Sequence, residues 1–302
     1  MSVYKIPIEV AFLIFPLLAF LFTIPYLIYQ YRKYGSIPIL RSIIIYSFIL
    51  YLLCAYFLVI LPLPDIDTVK NLTTPTTQLI PFQFVKDIIN VIDINFNSIS
   101  SYLEVINTQV FYVAAFNIIL TIPFGIYLRY YFECRWYKIL LYGFFLSLFF
   151  ELTQLSGLYG IYPRPYRLFD VDDLILNTMG AFIGYLITPV IVCFLPSRKK
   201  LDEKSFENGK KVTLFRRTLG FCIDFFFFII IVVGTKIATY NTDFSKYATL
   251  ISVIICYILT PLFTNGKTFG KMILKLQATA KVASNTSRLK VIARYILGYL
   301  LF

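Results

Sequence analysis

The dominant pattern along the chain is a succession of apolar runs separated by shorter polar segments. Several runs reach about 20 residues, which is enough for a helix to cross a hydrocarbon core of ~30 Å. A membrane barrel would instead show segments of about ten residues with alternating polarity. We therefore predict an all-α fold, that of a polytopic α-helical integral membrane protein with about seven transmembrane helices. The predicted spans are approximately residues 6–29, 43–63, 108–128, 138–156, 174–195, 216–237 and 248–264.

The first and last apolar stretches differ from the others. The first is too long for the apolar region of a secretory signal and has no small-residue cleavage site, so we predict a retained helix. The last stretch, residues 291–302, ends after about a dozen residues, which is too short to span. Either it forms a short helix in the interface or the natural protein continues beyond it.

A charged segment divides the chain into two membrane parts. Residues 196–215 have no periodic apolar face, which is typical of a linker, here predicted to be cytoplasmic. Residues 1–195 precede it as one membrane domain, and residues 216–302 follow as a second membrane module. This second module is incomplete if the apolar stretch at 291–302 does not cross the membrane. Residues 82–92, within the long segment between spans two and three, have apolar positions near helical spacing. Two structures are predicted as alternatives for this segment: an amphipathic helix lying in the interface, or an ordered loop packed on the helix bundle.

Composition and charge agree with a membrane protein. The chain is 59% hydrophobic and 15% charged, with mean hydropathy +0.76. Its net charge is +12, and most of its 28 Lys and Arg residues fall into alternate loops. By the positive-inside rule this pattern predicts an extracytoplasmic N-terminus. The basic excess then indicates attraction to an anionic lipid bilayer, not binding of nucleic acid.

The absence of histidine removes several classes of chemistry. The chain contains no His, which excludes His-based general-base catalysis, His metal ligands and Ser-His triads. Its five Cys residues are scattered, and no glycine-rich phosphate loop follows a strand. We therefore predict no cofactor and no metal.

Polar residues interrupt the apolar pattern between Glu151 and Gly184, on the predicted outer face. Glu151 and Gln154 are three positions apart and share a helix face. From Asp170, steps of three and four residues lead along one face of span five through acids and an amide to two glycines. The glycine pair permits close helix packing. The candidate ligand-binding residues are Glu151, Gln154, Arg164, Arg167, Asp170, Asp173 and Asn177.

Two interpretations of this cluster are open. Carboxylates in a membrane are costly and normally have partners inside the bundle. Arg164 and Arg167 are the nearest candidate partners, because a guanidinium matches a carboxylate or a phosphate in two-pronged geometry. The cluster is therefore either an outward-facing polar pocket or an ion-paired plug that pins the loop onto two helices.

The cluster resembles the signature of VanZ-like membrane proteins. The matching motifs are Glu151-x-x-Gln154, Arg167, Asp170-x-Asp172-Asp173 and Asn177-x-x-Gly180-x-x-x-Gly184. The segment Gln78-Leu79-Ile80-Pro81-Phe82 is similar to that family's extracytoplasmic Asn-Leu-Ile-Pro-Phe element, with Gln in place of Asn. The resemblance covers residues 40–195. It implies a bacterial cell-envelope protein located in the plasma membrane and related to resistance against the glycopeptide teicoplanin.

The second module resembles RDD membrane modules. Arg217 and Asp224, seven residues apart, share a helix face and form the expected intramembrane charge pair. The turn from Gly266 to Lys271 adds to the resemblance. The sequence departs from the pattern after Asn265, where no acidic residue follows.

Three functions follow from these observations. The first is an envelope factor that binds a glycopeptide antibiotic, a lipid-linked wall precursor or another anionic ligand at the outer cluster. The second is an ion-coupled transporter that uses the intramembrane acids. The third is an enzyme acting on a lipid-linked substrate, which we rank last because no residue is identified as a nucleophile.

Overall fold

The computed structural model describes residues 2–91, 105–240, 242–264 and 266–276. Across these residues the chain is almost wholly helical, and seven helices are long and apolar enough to cross a membrane. The all-α polytopic fold predicted from the apolar runs is therefore confirmed. The short apolar stretch at 291–302 lies outside the described residues.

The first six membrane-length helices begin and end within a few residues of the predicted spans. The described helices of five or more residues up to the charged segment are α1 (Ser2–Tyr34), α2 (Ile39–Ile60), α3 (Ile66–Lys70), α4 (Gln83–Val91), α5 (Gln109–Tyr130), α6 (Trp136–Leu155) and α7 (Val171–Ile191), and a four-residue turn, Gly157–Gly160, follows α6. A helix therefore does form in the long segment between spans two and three, where an ordered loop was the alternative. Two short strands, β1 (Thr77–Gln78) and β2 (Phe169–Asp170), pair in parallel.

The second half of the chain contains two further membrane-length helices. Helix α8 (Arg198–Gly209) lies inside the charged segment and leads to α9 (Leu214–Ala238). The seventh span, Asp243–Phe263, is irregular. It consists of a 3₁₀ turn (Asp243–Tyr247), α10 (Ala248–Val253), a π-helical stretch (Ile254–Leu259) and α11 (Thr260–Phe263), and it is followed by α12 (Phe269–Ile273).

The chain forms two compact units, and the first holds the polar cluster. This unit comprises Met1–Phe20 and Leu40–Lys200. Helices α5 and α7 pack closely there, because glycines replace side chains where the two backbones meet. A Cβ atom added to Gly184 would lie 2.1 Å from the Ile122 carbonyl oxygen, and one added to Gly125 would lie 1.9 Å from the Ala181 oxygen. The close approach predicted from the small-residue pair is thus present in α7, with α5 as its partner.

The second unit comprises Leu21–Ile39 and Leu201–Phe302. Its described core is small and contains Tyr31, Ile223 and Leu274. Helix α12 approaches α9 closely, since a Cβ atom on Gly270 would lie 2.0 Å from the Gly220 oxygen.

Candidate functional site

The candidate site lies where the last turn of α6 meets the first turns of α7. Asp170 is the N-cap of α7: its backbone is extended, and its Oδ1 accepts the Asp172 N–H at 2.8 Å. Acidic residues are favoured at this position because the first helical N–H groups have no partner inside the helix and the helix dipole is positive there. The sequence Asp-x-Asp-Asp thus places three carboxylates around one helix end.

Glu151 connects the two helices through the backbone. Its side chain is only 2% exposed, and its Oε2 accepts the Asp170 N–H at 3.0 Å. A buried carboxylate is stabilised when N–H groups replace its lost water. Glu151 therefore fixes the start of α7 against the end of α6.

Asp173 and Asn177 extend the polar contacts deeper into the bundle. Asn117 of α5 donates to Asp173 Oδ1 at 2.5 Å. One turn further, Asn177 donates to Ser147 Oγ of α6 at 2.9 Å, and Ser147 donates in turn to the Asp173 carbonyl at 3.1 Å. Three helices are joined by this ladder of hydrogen bonds. The Asn177 Oδ1 atom is buried and has no partner among the described residues.

The two arginines bind backbone carbonyls. Arg167 donates to the Val59 carbonyl at 2.7 Å and to the Leu61 carbonyl at 3.3 Å, and Arg164 donates to the Thr74 carbonyl at 2.6 Å. Gln154 also donates to Val59, at 3.0 Å. Within the described part of the chain, no basic group lies within 4.0 Å of the cluster's carboxylates.

The expected Arg–carboxylate pairs are therefore not formed, for a physical reason. Val59 lies in the last turn of α2, where carbonyls lack helical partners and need donors from elsewhere. Glu151 and Asp173 receive their donors from an N–H group and an amide. Arg167 is still close enough to attract both carboxylates electrostatically.

Asp172 has a structural role and was not among the predicted ligand-binding residues. It is 2% exposed, and its carboxylate accepts the Phe82 N–H at 2.5 Å and the Phe84 N–H at 2.9 Å. Phe82 directly precedes α4 and Phe84 lies in its first turn, so Asp172 caps that helix from across the bundle. Its position in the Asp-Asp pair was visible in the sequence, but its partner lies about 90 residues earlier.

Asn117 and Ser147 also belong to the site and were not predicted, and Gln78, noted in the sequence only as part of the Gln78–Phe82 element, joins them. The sequence does contain a signal for Ser147, because it lies four residues before Glu151 and therefore on the same helix face. Asn117 is a single amide in an apolar run and has no such neighbour. Gln78 reaches Asp170 Oδ1 with its amide nitrogen at 3.3 Å, beside the β1–β2 pairing.

A pocket of about 810 Å³ adjoins the cluster. One wall consists of the segment 72–80 and the other of residues 165–168. Most lining side chains are apolar, including Leu72, Leu79 and Ile80, whereas Arg167 supplies the only charge in the described lining. Arg167 thus lines the pocket and also attracts the buried acids.

Burial changes the acid–base behaviour of two groups at the ends of the helices. It raises the pKa of Asp170, an effect that the Asp172 N–H partly offsets. It also raises the pKa of Tyr166 to about 12, so this phenol stays protonated at neutral pH. The described residues contain no group of three or more acidic, Cys or His side chains that could hold a metal ion.

The second unit contains the other predicted site. Asp224 accepts the Thr268 hydroxyl and the Gly270 N–H, both at 2.7 Å, whereas Arg217 is exposed and makes no contact with it. The expected Arg217–Asp224 pair is therefore not formed. The buried face of α9 is centred on Arg216, Gly220 and Ile223, which turns Arg217 outward.

These features define a polytopic α-helical membrane protein with a polar cluster between α5, α6 and α7. Residues 48–192 match the family model described as VanZ/LLP1. This part of the chain, which contains the whole cluster, is thus VanZ-like, as the resemblance predicted. No curated protein and no solved structure matches the chain. The resemblance of residues 216–302 to RDD modules stays a prediction.

Proposed function

We propose that this protein is a bacterial cell-envelope factor of the plasma membrane. Its VanZ-like part binds an anionic, amphiphilic or peptide-like envelope ligand at the outer face. The observation that carries the proposal is the pocket of about 810 Å³ with Arg167 in its wall. The VanZ/LLP1 match over residues 48–192 supports the same class of protein. Ligands of this class include glycopeptide antibiotics and lipid-linked wall precursors.

Arg167 is suited to hold an anionic group of such a ligand. A guanidinium has five N–H donors, and two are used on the carbonyls of Val59 and Leu61. The side chain is exposed, so the remaining donors are accessible to a carboxylate or a phosphate. The contacts with the two carbonyls hold the guanidinium in place before the ligand arrives, which lowers the entropy cost of binding.

The rest of the pocket fits the apolar part of the ligand. Leu72, Leu79, Ile80 and Leu168 contribute apolar lining on both sides. Arg167 is the only charged residue in the described lining, so a second anionic group would find no counter-charge there. The combination selects a ligand with one anionic group beside an apolar portion.

Binding of a labelled teicoplanin-type glycopeptide and of a lipid-linked wall precursor tests the proposal. We expect Arg167→Ala to weaken binding of the recognised ligand by about tenfold or more, because a charged hydrogen bond contributes about 1.5–3 kcal/mol. Lys70→Ala is the matched control: it removes the same charge from an exposed residue between α2 and α5, on the same predicted outer side but outside the pocket lining. Antibiotic susceptibility of cells expressing each variant gives the physiological measurement.

A second control separates ligand binding from structural damage. Gln154 donates to the Val59 carbonyl and does not line the pocket, so the proposal gives it no contact with the ligand; Gln154→Leu removes this donor but leaves Arg167 in place. Binding should therefore survive in Gln154→Leu and fail in Arg167→Ala. Equal binding by wild type, Arg167→Ala, Glu151→Ala and Asp173→Ala would contradict the proposal.

Ion-coupled transport is the second candidate, and the ladder from Asn117 through Asp173 and Ser147 to Asn177 favours it. These groups carry polarity into the bundle, and at its inner end lies the Asn177 Oδ1 atom, which has no hydrogen-bond partner in the described part of the chain. Flux assays in proteoliposomes under Na⁺, K⁺ and proton gradients test it. Ion flux through the wild-type protein that is abolished by Asp173→Asn supports transport. The absence of flux under all three gradients contradicts a transport function.

A further inference from the structure

A second cavity, of about 750 Å³, lies within the unit formed by Leu21–Ile39 and Leu201–Phe302. It is outside the VanZ-like segment and is independent of the function proposed above. Three pieces of chain form its walls: the turn after α1, the end of α8 with the residues that follow, and the start of α9. The lining residues that matter are Ser36, Glu207, Lys210, Lys211, Thr213 and Phe215.

Close backbone packing holds the first two walls together. A Cβ atom on Gly209 would lie 2.0 Å from the Tyr34 carbonyl oxygen, so only glycine permits this approach. Gly35 turns the chain with φ +76°, a left-handed conformation that glycine adopts without strain. Ser36 then donates its hydroxyl to the Ser205 carbonyl at 2.6 Å, and this bond is buried.

Arg216 fixes the third wall. Its guanidinium donates to the Gly35 carbonyl at 3.2 Å and to the Leu274 carbonyl at 2.7 Å, and it lies over the Tyr31 ring at 5.4 Å. Thr213 caps α9 by accepting the Arg216 N–H at 3.3 Å. The start of a 25-residue helix, the positive end of its dipole, is thereby held at the cavity.

The charges at the cavity favour an anion. Lys210 and Lys211 are exposed, and neither ammonium group has an ion-pair or hydrogen-bond partner among the described residues. Glu207 is the one acid in the described lining and opposes them. Two lysines and a helix N-terminus outweigh this single exposed carboxylate.

Apolar residues beside the lysines favour an anion located at the membrane surface. Phe215 is 56% exposed and lines the cavity, and Leu214 beside it is 79% exposed. Both begin the membrane-length helix α9, so they lie where the charged segment ends and the apolar span starts. The charge pattern predicts that this end faces the cytoplasm, where anionic lipids attract basic segments.

We propose that this cavity is a binding site for a phosphate-bearing anion. Lys210 and Lys211 bind the phosphate oxygens, and the start of α9 adds its dipole. The same chemistry is offered by two sources, the headgroup of an anionic phospholipid and a soluble phosphate. In the first case the acyl chains follow the exposed apolar residues at the start of α9.

Binding to the purified full-length protein tests this site. The probes are dioctanoyl phosphatidylglycerol, dioctanoyl phosphatidylcholine and inorganic phosphate, with native mass spectrometry for the lipids and calorimetric titration for phosphate. Each lysine near the surface changes binding by about fivefold, so Lys210→Ala/Lys211→Ala should weaken binding of the recognised probe by about 30-fold. Lys199→Ala/Lys204→Ala is the control, since it removes two exposed lysines of α8 that do not line the cavity.

The pattern across probes and variants decides the result. Preference for phosphatidylglycerol over phosphatidylcholine, lost only in the cavity variant, supports a lipid headgroup. Inorganic phosphate binding with the same lysine dependence supports a soluble source. Lys210→Arg/Lys211→Arg keeps both charges and should retain binding. The proposal is overturned if wild type binds neither anion, or if the cavity and control variants lose binding equally.

Discussion

Replacing Gly184 by alanine should separate helices α5 and α7. A Cβ atom at this position would lie 2.1 Å from the Ile122 carbonyl oxygen, whereas ordinary contact begins near 3.4 Å. The added methyl group therefore requires the two backbones to move about 1.3 Å apart. The clashing atoms belong to the backbone, so a change of side-chain conformation cannot relieve the clash. The substitution thus tests the close packing of α5 against α7 in the VanZ-like part.

The same movement would break a hydrogen bond between these helices. Thr121 of α5 donates to the Asn177 carbonyl of α7 at 2.7 Å. Adding about 1.3 Å takes this distance beyond the ~3.5 Å at which a hydrogen bond is lost. Overpacking costs about 1–3 kcal/mol, and the lost bond adds about 1 kcal/mol.

Thermal unfolding of the purified protein in detergent measures this effect. At roughly 2–4 °C per kcal/mol, the midpoint of Gly184→Ala should fall by about 4–16 °C. Gly234→Ala is the matched control, because Gly234 also lies in a membrane-length helix but has nothing within 4 Å of an added Cβ atom. A Gly184→Ala midpoint equal to that of wild type or of Gly234→Ala would refute the reasoning.

Three further substitutions test individual contacts. Asp172→Ala should lower the unfolding midpoint more than Asp172→Asn, because only alanine leaves both N–H groups of the α4 cap without an acceptor; equal loss would contradict the capping role. Asp224→Ala should increase hydrogen exchange around Thr268, whereas Asp224→Asn should restore part of the protection; unchanged exchange in both would show that Asp224 does not hold this segment. Burial raises the pKa of Asp170 in the folded protein above its value in the unfolded chain. The protonated side chain therefore makes its full contribution to the free energy of unfolding at pH values below the unfolded-state pKa, and this contribution is lost as the pH rises through the folded-state pKa. Unfolding midpoints measured from pH 4 to pH 8 should thus fall less steeply in Asp170→Asn, and parallel profiles would count against this assignment.

The membrane helices were predictable because the bilayer imposes both their length and their apolar composition. The small-residue pair at Gly180 and Gly184 likewise predicted close packing, although it did not identify the partner. That partner, α5, contributes Gly125, a lone glycine that the sequence does not distinguish from any other.

The partners of the arginines could not be predicted from charge alone. Opposite charges close in sequence favour ion pairs, yet Arg164 and Arg167 bind carbonyls. The need for those donors arises at the end of α2 and in the loop after it, about 90–108 residues away. In α9, helical spacing placed Arg217 on the same face as Asp224, but the packing of Gly220 against α12 rotates the buried face toward Arg216.

The cap that Asp172 provides to α4 has a consequence for biosynthesis. The carboxylate and the Phe84 N–H that it binds are separated by 88 residues of chain. At about 5–20 residues per second, the ribosome needs roughly 4–18 s to produce the second partner after the first. Throughout that interval the segment containing α4 has been synthesised but lacks its cap. Its final conformation is therefore completed late, when the start of α7 has been made and inserted.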